Sequence, residues 1–305
     1  MVFAAVIVLV LFFALLYLLY RKTFYHKPKE YKTVKLPKKW LGDNYDKCKR
    51  LYDDVAAEKY DEVYITAFDG TRLFGRLYLA DEKKPFVIMM HGYKGTALID
   101  FCGGSAMINK FGYNKLIIDQ RAHGKSGGRT ITFGVKECRD CMSWIDYLVK
   151  TYGDGIKIGL IGVSMGAATV TMATGLDLPE QVKCVIADCG YSSPRDIIRK
   201  VMRDVHMPVA LYPLIGLSAK IFGGFSPDEY SSVEAVKRSK IPLLIIHGES
   251  DSFVPCYMSH EIYDACISPK QLLTVAGADH AVSAFADEKA YQNAVNGFIN
   301  KYLAD

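Results

Sequence analysis

From Phe86 onward the chain repeats one pattern, a short apolar run followed by a helix-length segment, and this restricts the possible folds more than any other feature. The runs are FVIMMH, KLIIDQ, IKIGLIGV, VKCVIAD, PLLIIHG and QLLTVAG. The amphipathic segments between and after them fall near residues 97–111, 134–151, 165–176, 255–267 and 284–303, with one longer connection over 191–238. A strand that is apolar at nearly every position is buried on both faces, and helical crossovers make its neighbours parallel. Two β-rich runs, DEVYITAF and TRLFGRLYLA, come earlier and are joined through Asp69-Gly70, a hairpin signal. A helical-looking stretch, NYDKCKRLYDDVAAEKY, precedes them. The pattern predicts an α/β domain with an eight-stranded, mostly parallel sheet and helices on both faces.

The 191–238 connection is too long for one crossover. Long insertions in compact domains are usually lids or small subdomains, so it reads as a small helical cap. Its middle, MPVALYPLIGLSAKIFGGF, carries one charge, Lys220. The expectation is that part of this apolar surface packs on the sheet edge and the rest lines the entrance to a site.

The N-terminus has a different character. Val2 to Tyr20 is an uncharged run without Pro or Gly, VFAAVIVLVLFFALLYLLY. At 1.5 Å rise per residue it just crosses a hydrocarbon core of ~30 Å. A cleavable signal peptide would place basic residues before the run and small ones at its end. Here the basic residues follow and large Leu and Tyr side chains fill the end, which favours an uncleaved anchor. Residues 21–39 hold eight Lys or Arg and one Glu, a net of +7, against +5 for the whole chain, so residues 40–305 sum to −2. The excess charge is therefore a topology signal and a contact for anionic headgroups, not a nucleic-acid platform. The organisation expected is an anchor (1–20), a basic linker (21–40) and a catalytic domain (41–305, cap 191–238) on the cytoplasmic side. The eight cysteines lack the dense spacing of a disulfide scaffold and read as reduced. The lone C-x-x-C of Cys138 and Cys141 lies in a helical pattern and is a weak zinc signal.

Chemistry enters at GVSMG, residues 162–166. A buried strand precedes it and a small-residue helix follows, the setting in which a strained turn presents a nucleophilic serine. The two glycines carry no Cβ to collide in that turn, and Ala167 and Ala168 let the helix start close to the strand. A serine hydroxyl needs a base, and the base an orienting acid. Asp251 follows the strand PLLIIHG and His280 follows the strand QLLTVAG, both on the sheet edge where Ser164 would stand. Glu249 and Asp188 are alternative acids. Asp188 reads as a structural carboxylate at the site's edge. The oxyanion formed on attack would take the backbone N–H of Met165, and a second from Tyr93 in the loop HGYKG. His91, at a strand end, reads as a structural hydrogen-bonding residue.

Taken together, HGYKG (91–95), DQRAHGKSGG (119–128), GVSMG (162–166), HGESDSFVP (247–255) and GADHA (277–281) make the chain resemble the α/β-hydrolase superfamily over about residues 60–303. It looks most like the bacterial membrane-anchored esterase-like and serine-aminopeptidase-like hydrolases. The resemblance implies that Arg121, His123 and Ser126 brace the site without reacting, and that no cofactor or metal takes part. The leading expectation is a serine hydrolase cleaving a carboxylic ester, with an apolar acyl group favoured, through Ser164, His280 and Asp251. A peptidase using the same residues on short peptides is the second reading, and would need an acidic pocket for a substrate amine. A non-catalytic binding protein is the third.

Overall fold

The computed structural model describes residues 2–28, 36 and 38–304. All eight expected runs are strands: β1 (Asp61–Thr66), β2 (Arg72–Tyr78), β3 (Phe86–Met90), β4 (Asn114–Asp119), β5 (Ile158–Val163), β6 (Val182–Asp188), β7 (Leu243–Gly248) and β8 (Lys270–Val275). They form one sheet in the order β1-β2-β4-β3-β5-β6-β7-β8. β2 pairs antiparallel with both β1 and β4, and every other pairing is parallel. This is the sheet of an α/β-hydrolase fold. β3 lies between β4 and β5, so the chain leaves it first to one side and then to the other. A crevice opens at the carboxyl ends of strands where the order reverses in this way.

The helices of seven or more residues are α1 (Val2–Thr23), α2 (Tyr45–Ala57), α3 (Cys102–Phe111), α4 (Glu137–Tyr152), α5 (Met165–Ala173), α6 (Pro194–Asp204), α7 (Tyr212–Ser218), α8 (Tyr257–Ala265) and α9 (Glu288–Tyr302). Apolar residues of α4, α5, α6 and α8 fill one face of the sheet, and those of α2, α3 and α9 fill the other. All nine residues of α5 are buried, and its Gly, Ala and Thr stand where the helix presses closest onto the strands, with Gly166 against the Met90 carbonyl. The eight cysteines are all free thiols. Cys138 and Cys141 are buried in the apolar body, where burial pushes the Cys138 thiol up to about 12.

The core reaches further toward the N-terminus than the sequence suggests. Most of α1 is exposed, but Leu16, Tyr20 and Phe24 are buried at four-residue spacing, one stripe of a helix. That stripe packs on α7 and on the π-helical turn Ala219–Gly223. Phe24 meets Phe133 and Phe225 edge-on at 5.8 and 5.2 Å between centroids. Just beyond, Tyr25 forms an antiparallel bridge with Thr130, and Ile131 donates its N–H to the Phe24 carbonyl at 2.8 Å. Much of the basic linker, 29–35 and 37, lies outside the described residues.

Candidate active site

Ser164 leaves the end of β5 with φ 55° and ψ −116°, a backbone state that costs a non-glycine residue energy and persists only where its surroundings enforce it. The Ser164 N–H donates to the Asp188 carbonyl at 2.8 Å, fixing the turn to the end of β6. The flanking glycines are demanded by space. A Cβ on Gly166 would lie 1.7 Å from the Met90 carbonyl oxygen, and one on Gly162 would lie 2.2 Å from the Gly166 carbonyl oxygen.

The loops after β7 and β8 bring Asp251 and His280 to this turn. His280 Nε2 is 3.0 Å from Ser164 Oγ, and His280 Nδ1 is 2.7 Å from Asp251 Oδ2. A carboxylate can only accept, so Nδ1–H donates to Asp251, and Nε2 is left to accept from the serine hydroxyl. Asp251 Oδ1 accepts the N–H groups of Phe253 and Val254 at 2.9 and 2.7 Å. Burial alone would raise the Asp251 carboxyl. Hydrogen bonds from His247, His280 and the Val254 amide overcome it and hold the group down at about 2. The other two acids weighed from the sequence have other partners. Glu249 accepts from the Thr274 hydroxyl at 2.8 Å, and Asp188 accepts from Tyr291 at 3.0 Å.

The loop after β3 faces the same turn. Asp100 Oδ2 accepts the Gly92 N–H at 2.7 Å. The Lys94 N–H donates to His123 Nε2 at 3.0 Å. Among the described residues the amides of Tyr93 and Met165 donate to no protein acceptor. His91 is fully buried, its Nε2 accepting the Gln120 N–H at 3.1 Å and its Nδ1 lying 2.8 Å from the Gly92 carbonyl. Arg121 is held by Asp140 and Asp69, at 2.7 and 2.8 Å, and Ser126 accepts the Phe74 N–H at 2.8 Å while donating to the Asp119 carbonyl. These groups tie loops together and are occupied in doing so.

Ser164 and His280 open into a cavity of about 350 Å³. Its walls come from α2, α3 and the residues around 281–292, with Leu36 and Leu41 beside them. No residue of the 191–238 insertion lines it, which corrects the expectation that the cap covers the entrance. The middle of the insertion, α7 and the π-helical turn, packs on α1 instead, where its apolar side chains find a partner. Sequence reasoning missed Asp100 and Tyr291 and placed Asp188 at the site's edge as a structural carboxylate; all three line the cavity. Asp188 is buried, its Oδ1 has no hydrogen-bond partner among the described residues, and burial raises its carboxyl to about 6 despite the Tyr291 hydroxyl. Burial likewise raises Asp100. No local pattern marks Asp100 or Tyr291, since each is defined by what the fold places opposite it.

Residues 132–305 match the model of the prolyl oligopeptidase family. The chain is 29% identical over 191 residues to the uncharacterized protein YqkD of Bacillus subtilis, covering 62% of this chain and 63% of that protein. It thus spans less than two thirds of that relative's length. It is 28% identical over 207 residues to the thiohydrolase aneE of Aspergillus aculeatus, covering 65% and 63% of the two chains. Among solved structures it is similar to the Pyrococcus furiosus esterase Pf2001, with a TM-score of 0.66 and 25% identity over 91% of this chain and 100% of that one.

Proposed function

The chain belongs to the prolyl oligopeptidase family, within the α/β-hydrolase superfamily, and from that premise we propose that it is a serine hydrolase cleaving a carboxylic ester through an acyl-enzyme. Ser164 Oγ attacks the carbonyl carbon while His280 Nε2 takes its proton. The negative charge that develops on the carbonyl oxygen is met by the Tyr93 and Met165 N–H groups, which need no reorganisation to receive it. Collapse expels the alcohol, which leaves with the proton from His280. Water then attacks the acyl-Ser164 ester, again giving its proton to His280, and the second collapse returns Ser164 and releases the acid. Asp251 holds the imidazole in the required tautomer and stabilises the imidazolium.

The observation that carries this reading is the unbroken line of hydrogen bonds Ser164–His280–Asp251 at a strained turn opening on a cavity. An apolar acyl group suits the side chains of Ile99, Phe101, Met107, Ile161, Val163 and Phe253 in the walls. The likeness to an esterase structure and to a thiohydrolase agrees with acyl transfer to water. A fluorophosphonate probe should label the full chain and fail to label Ser164→Ala. Equal labelling of the two would remove the assignment.

Two observations favour a second reading, amide hydrolysis of short peptides. The family is named for a peptidase. The carboxyl groups of Asp100 and Asp188 in the cavity could also receive a substrate amine. Comparing kcat/KM for p-nitrophenyl acetate, butyrate, octanoate and succinate with aminoacyl p-nitroanilides separates the two. Faster turnover of the anilides would replace the ester reading.

A further inference from the structure

α1 has the length and apolar character of a membrane span. The segment packed beside it is also apolar and partly uncovered. Within the insertion, Leu211, Leu217 and Ile221 are exposed around α7 and the π-helical turn, although neighbouring Tyr212, Ile215 and Ala219 are buried in the body. The helix therefore presents one apolar side to the protein and another to its surroundings, which a helix at a water-facing surface does not do.

Ring contacts fix the level of this segment against α1. Phe225 packs on Phe24, beyond the end of the apolar run. Phe222, three residues earlier, packs on Tyr17 and Tyr20 at 5.3 and 5.8 Å, inside the run. Going back from Phe225, the insertion thus climbs along α1 toward its N-terminus, and α7 itself packs on α1. Ile221 and Leu217 come out beside residues that a spanning α1 would hold in hydrocarbon. Two exposed cations, Arg21 and Lys22, follow directly where the apolar run of α1 ends, as headgroup phosphates would require.

We propose that residues 211–221 are a second membrane contact, lying in the bilayer interface against the exit turn of α1. This rests on the reading of α1 as a retained anchor. One consequence concerns height. Tyr93 lines the cavity and its hydroxyl bonds the Thr23 carbonyl at 2.9 Å, so the two contacts together hold the cavity at headgroup level, within reach of esters that reside in the interface.

The test places tryptophan singly at Leu217, Ile221 and Leu79 in the full chain, reconstituted into phosphatidylcholine–phosphatidylglycerol vesicles. Leu79 is exposed where β2 ends, at the sheet edge opposite the site. Emission is measured relative to the wild-type chain, with and without lipids brominated about 5–10 Å below the headgroups. All three positions are exposed, so wild-type unfolding midpoints are expected and are checked first. Leu217→Trp and Ile221→Trp should lose emission in brominated lipid while Leu79→Trp does not. Incorporation of the chain with no loss at Leu217 and Ile221, or with equal loss at all three, overturns the second contact and leaves the anchor standing. A chain that does not stay with the vesicles overturns both.

Discussion

The Tyr93 hydroxyl donates a 2.9 Å hydrogen bond to the backbone carbonyl of Thr23. Thr23 is the last residue of α1, where carbonyls have no partner within the helix. Tyr93 lies in the loop whose amide is the proposed second oxyanion donor, and its ring packs tilted against Phe133 at 5.2 Å between centroids. The N-terminal helix and the oxyanion loop are therefore one packed unit. Deleting everything before residue 40 would strip Phe24 from Phe133 and Phe225 as well as Thr23 from Tyr93.

Tyr93→Phe keeps the ring and the backbone amide but leaves the Thr23 carbonyl unsatisfied. Unfolding should cost about 1 kcal/mol less. Because the amide loses a support, kcat for an ester substrate should fall roughly three- to tenfold with KM little changed, as expected for a loss confined to the transition state. A kcat equal to wild type would show that the loop keeps its position without α1.

Gly166→Ala places a methyl group 1.7 Å from the Met90 carbonyl oxygen. Neither strand end can move without disturbing the β3–β5 pairing, so the substitution should destabilise by about 3 kcal/mol or more. Urea unfolding measures it, and a midpoint within error of wild type would contradict the packing described for the turn.

Much of this site was legible in the sequence because its elements are local. The glycines around Ser164 are dictated by contacts within one strand-turn-helix. Asp251 and His280 could be placed because each directly follows a strand whose apolar run predicts its direction. The cavity was not legible. Its walls are assembled from α2, α3 and residues near 281–292, segments far apart in sequence whose meeting depends on the sheet's crossovers. The insertion was misplaced for a related reason. The apolarity of MPVALYPLIGLSAKIFGGF states that it must be covered, but not that the partner is α1, because tertiary packing chooses among all apolar surfaces the fold exposes.

Asp251→Asn should lower kcat about 10⁴-fold, since an amide at this position no longer holds His280 in the tautomer that accepts the serine proton. The same carboxyl contributes to stability in a pH-dependent way. Its folded pKa, about 2, is below the ordinary 3.8. Its contribution is therefore present above pH ~4 and is lost as the pH falls toward 2. The gap in unfolding midpoint between wild type and Asp251→Asn should be widest near pH 7 and narrow below pH 4. A gap independent of pH would mean that the hydrogen bonds to Asp251 do not depend on its charge.

Asp188 has the opposite sign. Burial lifts its folded pKa from the ordinary 3.8 to about 6, so the folded chain binds this proton more tightly than the unfolded chain. The stability it contributes is present below pH ~4 and is lost as the pH rises through 6, leaving at neutral pH a buried charge supported by Tyr291 through one oxygen and, among the described residues, unpartnered at the other. Asp188→Asn keeps an acceptor for the Tyr291 hydroxyl and removes the charge. Relative to wild type it should gain about 1–3 kcal/mol at pH 7.5, the equivalent of up to two pKa units, and gain nothing at pH 4. Thermal unfolding of both proteins across that range measures the difference. The same substitution separates the two substrate readings. It removes a negative charge from the cavity without touching Ser164, His280 or Asp251, so turnover of p-nitrophenyl butyrate should stay within about threefold of wild type. If aminoacyl anilide turnover instead falls tenfold or more through KM, Asp188 holds a substrate amine and the peptidase reading gains the acidic pocket it requires.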